Sequence, residues 1–196
     1  MSERFNLNYD PVRQGFDTNT WSTLLGDPEV LTSGRLRINT IPATGGSIIH
    51  YTDFKKGDIN LNVNVPSTPS IGDIRDFGLS SSDSKNYIKF TIRSNTFKCA
   101  TSNGGTIVLS DELEWNSTDW NGENINFQII WEAGTAKFLI EGSNVYTVTG
   151  KSIPTGPLSL FLYDNSPDDI TVGEMSIRGA QSMFPENSPS IGPGPA

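Results

Sequence analysis

Three asparagines alternate along Asp58–Val65, where Asn60, Asn62 and Asn64 share one side of the segment and Ile59, Leu61, Val63 and Val65 the other. A planar amide accepts and donates in fixed directions. A row of amides is therefore a hydrogen-bonding surface for a hydroxyl-rich ligand such as a sugar, but it supplies neither a general acid nor a nucleophile. Lys89 and Arg93 stand on the polar side of a second alternating segment and Gln128 on that of a third, while Trp115 and Trp120 lie in a polar stretch. Together these residues form the expected glycan-binding set, since sugars are held by aromatic faces and a few directed polar groups. The alternative is that these strand faces are simply wet and that the tryptophans, like Trp21 and Trp131, belong to the core.

Other chemistries are poorly served. A glycoside hydrolase needs two carboxyl groups about 5–5.5 Å apart for retention or about 6.5–9.5 Å apart for inversion. The nearest pair in the chain is Glu112 and Glu114, in an acidic stretch with Asp111, Asp119 and Glu123 that reads as a solvated loop. A Ser/His/Asp triad would depend on His50, the single histidine, which sits in a strand-like run. The single cysteine, Cys99, alternates with Phe97 and reads as a small core hydrophobe. Asp164, Asn165, Asp168 and Asp169 crowd one loop with oxygens of the kind calcium prefers, though Asn/Asp/Pro clusters also make ordinary turns. No cofactor is expected apart from that calcium alternative.

Composition bounds the partners. The chain has 196 residues, enough for one domain with tails, and a formal charge of −8, which argues against nucleic acid. A single cysteine excludes an intrachain disulfide and cysteine-rich zinc sites. The longest apolar runs, such as Ile129–Trp131, fall far short of a membrane span. Met1–Asp10 has no apolar core of signal-peptide length. The expectation is a protein made in a cytosol, without membrane contact, and displayed on a virion surface or released outside the cell.

The elements that must position these groups are strands. Period-2 alternation recurs in Asp58–Val65, Asn86–Arg93, Ile125–Trp131 and Leu158–Leu162, with shorter traces at Leu36/Ile38 and Phe138/Ile140. Apolar-in, polar-out alternation predicts antiparallel sheets with one wet face. Glycine-rich turns at Glu132–Gly134 and Glu141–Asn144 predict a meander over Ile125–Gly150. The best helical stretch, Ser110–Trp115, would make a turn or two. The fold class is all-β, a jelly-roll β-sandwich of two antiparallel sheets. Residues 1–15 read as an N-terminal arm, 16–178 as the sandwich, and 179–196 as an extended Pro-rich C-terminal arm with four prolines, whose Met183, Phe184 and Ile191 are its apolar docking points.

A set of local motifs resembles a known superfamily. Phe16-Asp17 with Trp21 is followed by Gly34–Ile38, Gly57-Asp58-Ile59, Phe77-Gly78-Leu79 and Asn86–Phe90. Phe127–Trp131 then leads into Ala136–Val145, and Ile153-Pro154, Leu158–Leu162 and Ile170–Ile177 close the pattern. Over about Phe16 to Arg178 the chain resembles the concanavalin A-like lectin/glucanase superfamily, including laminin-G-like and glucanase-like sandwiches. The resemblance implies two antiparallel sheets, one concave, with glycans commonly held on the concave face. Glucanases of the superfamily carry their carboxylates on one strand as Glu-x-Asp-x-x-Glu. That motif is absent, and Asp58–Val65 presents Asn60, Asn62 and Asn64 instead.

The functional expectation is a non-enzymatic surface module for adhesion or assembly, such as a virion decoration protein of a bacteriophage. Its partners would be protein neighbours in an assembly or a homo-oligomer. The alternatives are a lectin-like module that binds polysaccharide on the concave face, and a divergent glycoside hydrolase.

Overall fold

A computed structural model describes residues 4–14, 16, 18, 21–38, 45–67, 70–93, 96–166 and 170–181. In chain order the elements are β1 (Arg4–Tyr9), α1 (Pro11–Gln14), β2 (Trp21–Leu25), β3 (Glu29–Val30), β4 (Leu36–Arg37), β5 (Gly46–Asn64), β6 (Ile74–Ser80), β7 (Tyr87–Arg93) and β8 (Thr96–Asn103). They continue with β9 (Thr106–Leu109), β10 (Leu113–Glu114), α2 (Ser117–Trp120), β11 (Asn124–Glu132), β12 (Thr135–Ile140), β13 (Ser143–Thr149), β14 (Leu158–Asp164) and β15 (Thr171–Gln181). Every strand ladder among the described residues is antiparallel, which is the all-β jelly-roll sandwich that the alternation predicts.

The 19-residue β5 belongs to both layers. Its first half pairs with β14 and β2, and its second half with β11 and β15. The first layer therefore runs from the β9 and β10 edge through β8, β7, β6, β14 and early β5 to β2. The second runs from β13 through β12, β11 and late β5 to β15, with β1 and β4 on the far side of β15. The meander over Ile125–Gly150 is β11–β12–β13.

The layers meet through aromatic side chains. Phe77 and Phe90 of the first layer reach Phe127 of the second with ring centroids 4.7 and 5.1 Å apart, and Phe90 reaches Phe138 at 5.1 Å. Edge-to-face contacts of this kind add to the area term, and burying one such side chain contributes about 1.5–3 kcal/mol. Gly78 lets β6 fit between β7 and this aromatic layer. With φ at +149°, a Cβ there would lie 2.5 Å from the Ile88 carbonyl oxygen and 3.0 Å from Ile129 Cδ1.

Two boundaries differ from the sequence expectation. Residues 4–9 form a six-rung ladder with β15 rather than a free arm, and β15 itself runs on to Gln181. The helical turn falls on Ser117–Trp120, capped by the Asn116 side chain, whereas Leu113–Glu114 is a strand. Met183, Phe184 and Ile191 lie outside the described residues, as do Asp168 and Asp169. No helix among the described residues is long and apolar enough to cross a membrane.

Candidate functional site

The second layer turns its polar side outward, and the pleat dictates what is there. On β5, Ile59, Leu61 and Val63 point into the core, so Asp58, Asn60, Asn62 and Asn64 face out. On β11, Ile125, Phe127 and Ile129 point in, so Asn124, Asn126 and Gln128 face out. Register then brings the amides into rows: Gln128 stands opposite Asn60, and Asn126 opposite Asn62.

Internal hydrogen bonds fix how those amides point. Asp58 Oδ1 accepts from Gln128 Nε2 at 2.7 Å and from Asn60 Nδ2 at 3.2 Å, which leaves the two amide oxygens as acceptors. Asn62 is oriented the other way: Arg35 Nη1 donates to its Oδ1 at 2.8 Å, leaving the amide nitrogen as a donor. Asn64 is spent at the rim, donating to the Gly122 carbonyl at 2.6 Å and to Asn124 Oδ1 at 3.1 Å.

An open cleft of ≈ 510 Å³ lies over this surface, with Asn60, Asn62 and Asn126 on its floor and Tyr9, Asp10, Arg13, Glu174 and Ser176 along its other side. Glu174 is there because β15 bulges. Val172 pairs with Val63 and Met175 with Leu61, so Gly173 and Glu174 together oppose Asn62. A bulge re-aims a side chain in this way and is common beside active sites. Gly173 permits it, since a Cβ would sit 2.8 Å from Arg35 Nη1 and 3.0 Å from Asn62 Oδ1.

Asp10 and Glu174 are the two carboxylates that line the cleft. The β1–β15 ladder ends at Tyr9 opposite Met175, and Asp10 and Glu174 are the next residue on each chain. Tyr9 and Met175 are buried, whereas Asp10 and Glu174 both line the cleft. Arg13 Nε holds Asp10 Oδ2 at 3.2 Å, whereas the Glu174 carboxylate makes no side-chain hydrogen bond or ion pair among the described residues and is exposed.

The expected glycan-binding set is split. Asn60 and Asn62 line the cleft, with Gln128 beside Asn60 and Asn64 at the rim. Lys89 and Arg93 are on the outer side of the first layer, where both grip Asp76, at 2.6 and 3.0 Å. Trp115 is buried and donates from Nε1 to Asn121 Oδ1 at 2.8 Å; Trp120 packs edge-on against it and tilts onto Phe97. Neither tryptophan lines the cleft.

The other candidates are accounted for structurally. Asp164 accepts from the Ser166 backbone N–H at 2.9 Å, the Ser166 hydroxyl at 2.7 Å and the Ile170 N–H at 2.8 Å, with Arg75 Nε at 3.7 Å. Burial raises its carboxyl above the usual aspartate range despite those donors. Asn165 Oδ1 accepts from the Ile74 N–H at 2.6 Å. These oxygens tie a loop shut, and no group of three His, Cys, Asp or Glu side chains suited to a metal occurs among the described residues. Cys99 is fully buried and its thiol is pushed up to about 12 by that burial, so it is no nucleophile. Glu112 pairs with Lys98 at 3.1 Å on the first layer.

Sequence reasoning missed Asp10, Glu174, Arg13, Ser176, Asn126 and Arg35. One signal was present: Val172, Met175 and Ile177 break strict alternation by one residue, with Gly173 in the gap. The others depend on which strand lies next to which.

No family model matches the sequence, and no curated protein matches it. Solved structures do match the fold. A Crh5 transglycosylase in complex with NAG superposes with a TM-score of 0.68 at 14% identity, covering 92% of this chain and 85% of that one. A Bacillus licheniformis beta-glucanase gives 0.68 at 11% identity, over 90% and 97%. The catalytic domain of an endo-1,3-beta-glucanase (laminarinase) from Thermotoga petrophila gives 0.69 at 12% identity, over 93% and 100%. The chain has the concanavalin A-like jelly-roll fold that these glucanases and this transglycosylase have. This finding overturns the expectation of a non-enzymatic adhesion or decoration module on a virion, because the matching structures named above are glucanases and a transglycosylase.

Proposed function

We propose that the chain is a divergent glycoside hydrolase or transglycosylase that takes a polysaccharide along the outer face of late β5, β11 and β15. The observation that carries this reading is the Asp10–Glu174 pair, set in a cleft floored by oriented amides. Asn60, Asn62 and Asn126 hydrogen-bond the sugar hydroxyls and hold the chain in register. Glu174, open to the cleft, gives its proton to the glycosidic oxygen as the bond to the anomeric carbon breaks. Asp10, paired with Arg13, takes the proton of the water or acceptor hydroxyl whose oxygen bonds to that carbon, which closes the step. The fold's relation to glucanases and a transglycosylase supports the same substrate class. On this surface β5 carries amides, and the carboxylates stand on β15 and just after β1.

Release of reducing ends from β-1,3- and β-1,3-1,4-glucans tests the proposal. Glu174→Gln and Asp10→Asn should each lower the rate by about 10²–10⁴-fold. A wild-type rate equal to the blank, with or without glucan binding, overturns the catalytic assignment, as does full activity in both variants.

A further inference from the structure

The strand β9 is an open edge of the first layer. It pairs with β8 alone, and its sequence, Thr106-Ile107-Val108-Leu109, has no charge and no proline. Its ladder runs without a register shift, whereas those of the edge strands β2 and β13 each contain one, and β1 alternates its apolar residues with Arg4, Asn6 and Asn8. Charges, prolines and bulges are the devices that keep an edge from pairing. Of the four large apolar side chains exposed among the described residues, two are on this strand, Ile107 at 56% and Leu109 at 49%. Both stand on the outer face of the layer, since Val108 between them packs against the core.

The phase of the β8–β9 ladder shows what this edge offers. The Ser110 N–H donates to the Cys99 carbonyl at 2.9 Å. Bonded and non-bonded pairs alternate in an antiparallel ladder, so Thr101/Val108 and Asn103/Thr106 exchange hydrogen bonds, and Ile107 and Leu109 turn their N–H and C=O groups away from β8. An edge with two such residues around a central one is its own complement. Under a two-fold axis beside Val108, Ile107 of one copy faces Leu109 of the other, and each of the two pairs exchanges its N–H and C=O groups. Facing residues of a ladder point to the same side, so the exposed side chains of each copy cover those of the other, and Val108 meets Val108 on the core side.

Charge favours the same antiparallel direction. Asp111, Glu112 and Glu114 follow Leu109, with Lys98 on Glu112. At the other end of the strand, the Ser102 hydroxyl and the Asn103 amide donate to the carbonyls of Lys85 and Lys151, and Asp83 accepts from the Lys85 N–H. Three carboxylates and one cation at the first end thus meet two cations and one carboxylate at the second, whereas a parallel pairing would set like ends together. We propose that β9 is the interface of a two-fold homodimer in which the first layers of two copies join edge to edge as one sheet. The cleft lies on the second layer, and the pairing is independent of the reaction proposed there.

Sedimentation equilibrium of the full chain tests it. The average mass should climb from one chain to two, and stop there, between about 1 μM and 1 mM, the range of a small transient interface. Ile107→Pro removes only an outward N–H, and Ile107→Lys/Leu109→Lys changes only exposed side chains. Both should keep the denaturation midpoint of the dilute wild type and weaken association by about tenfold or more. Oxidation of single-cysteine variants reads the register. Position 108 faces its own copy within the Cα separation of about 4.4–6.8 Å that a disulfide spans, and position 109 does not. Val108→Cys should therefore link into dimers faster than Leu109→Cys, although Leu109 is the more exposed. A monomer throughout the range, growth beyond two chains, unchanged association in a folded variant, or faster linking at position 109 would each overturn the proposal.

Discussion

Arg35 grips Asn62 twice, with Nη1 on the side-chain oxygen at 2.8 Å and Nη2 on the backbone carbonyl at 3.0 Å. The same guanidinium donates to Thr171, from Nε to the hydroxyl at 2.9 Å and from Nη2 to the carbonyl at 3.0 Å. One side chain thus joins β5 to β15 just where β15 bulges to aim Glu174 at the cleft. The floor amide and the wall carboxylate are positioned by the same clamp.

Breaking that clamp should therefore cost binding and stability together. Arg35→Ala is expected to lower stability by about 2 kcal/mol, from four lost hydrogen bonds on a half-buried cation. It should also weaken glucan binding while Glu174 remains present. Arg35→Lys should recover little, because one ammonium cannot reproduce the planar fork. Gly173→Ala should mimic the loss, since its Cβ would displace the guanidinium. Urea denaturation and glucan titration of the three variants check this, and wild-type affinity in Arg35→Ala would refute the clamp.

Asp76 makes acid stability a readout of the first layer's outer face. Burial alone would raise its carboxyl, but Lys89, Arg93 and the Thr91 hydroxyl outweigh that and hold it below the ordinary aspartate range. A depressed folded-state pKa means that the unfolded chain binds the proton more readily. The contribution is therefore complete above the unfolded value of about 3.9 and is lost as pH falls through the lower folded value. Asp76→Asn should cost about 2 kcal/mol near neutrality and flatten the acid limb of the stability curve below about pH 4. Denaturant midpoints from pH 2 to 7 for both proteins measure it; parallel curves would contradict the ion-pair account.

The two-residue period was enough to read the layers, because one face of β7, β11, β12 and late β5 is fully buried and a register slip would expose it. It could not tell which outward residues share a surface. Asn60 and Lys89 follow the same rule of alternation, yet they end on opposite sides of the sandwich because β5 passes from one layer to the other. Trp115 and Trp120 sit in polar sequence, but Trp120 packs between Phe97 and Trp115, contacts made in three dimensions. Asp10 reads as part of an arm until β1 is paired with β15, and Glu174 as an ordinary strand residue until the bulge is seen. The absence of Glu-x-Asp-x-x-Glu was legible on the strand that floors the cleft, where Asn60 and Asn62 stand, but nothing in the chain's order showed that Asp10 and Glu174 line the same cleft.

Asp164 and Arg75 decide whether the crowded loop after β14 is a cation site or a lock. Both side chains are fully buried, and the Asp164 oxygens receive the Ser166 and Ile170 N–H groups, the Ser166 hydroxyl and the facing guanidinium. Arg75 Nε in turn donates to Ser166 Oγ at 3.0 Å. Removing one member leaves the other charged in a dry site, so Asp164→Ala should cost about 3–5 kcal/mol. Replacing both, as Arg75→Met with Asp164→Leu, should cost clearly less than the single change, because the uncompensated charge goes with its partner. A calcium site would behave differently: millimolar calcium would raise Tm in the wild type through preferential binding to the folded state, and Asp164→Ala would abolish the rise. The hydrogen-bonding pattern calls for a flat calcium titration, together with a strongly non-additive cycle between Arg75 and Asp164.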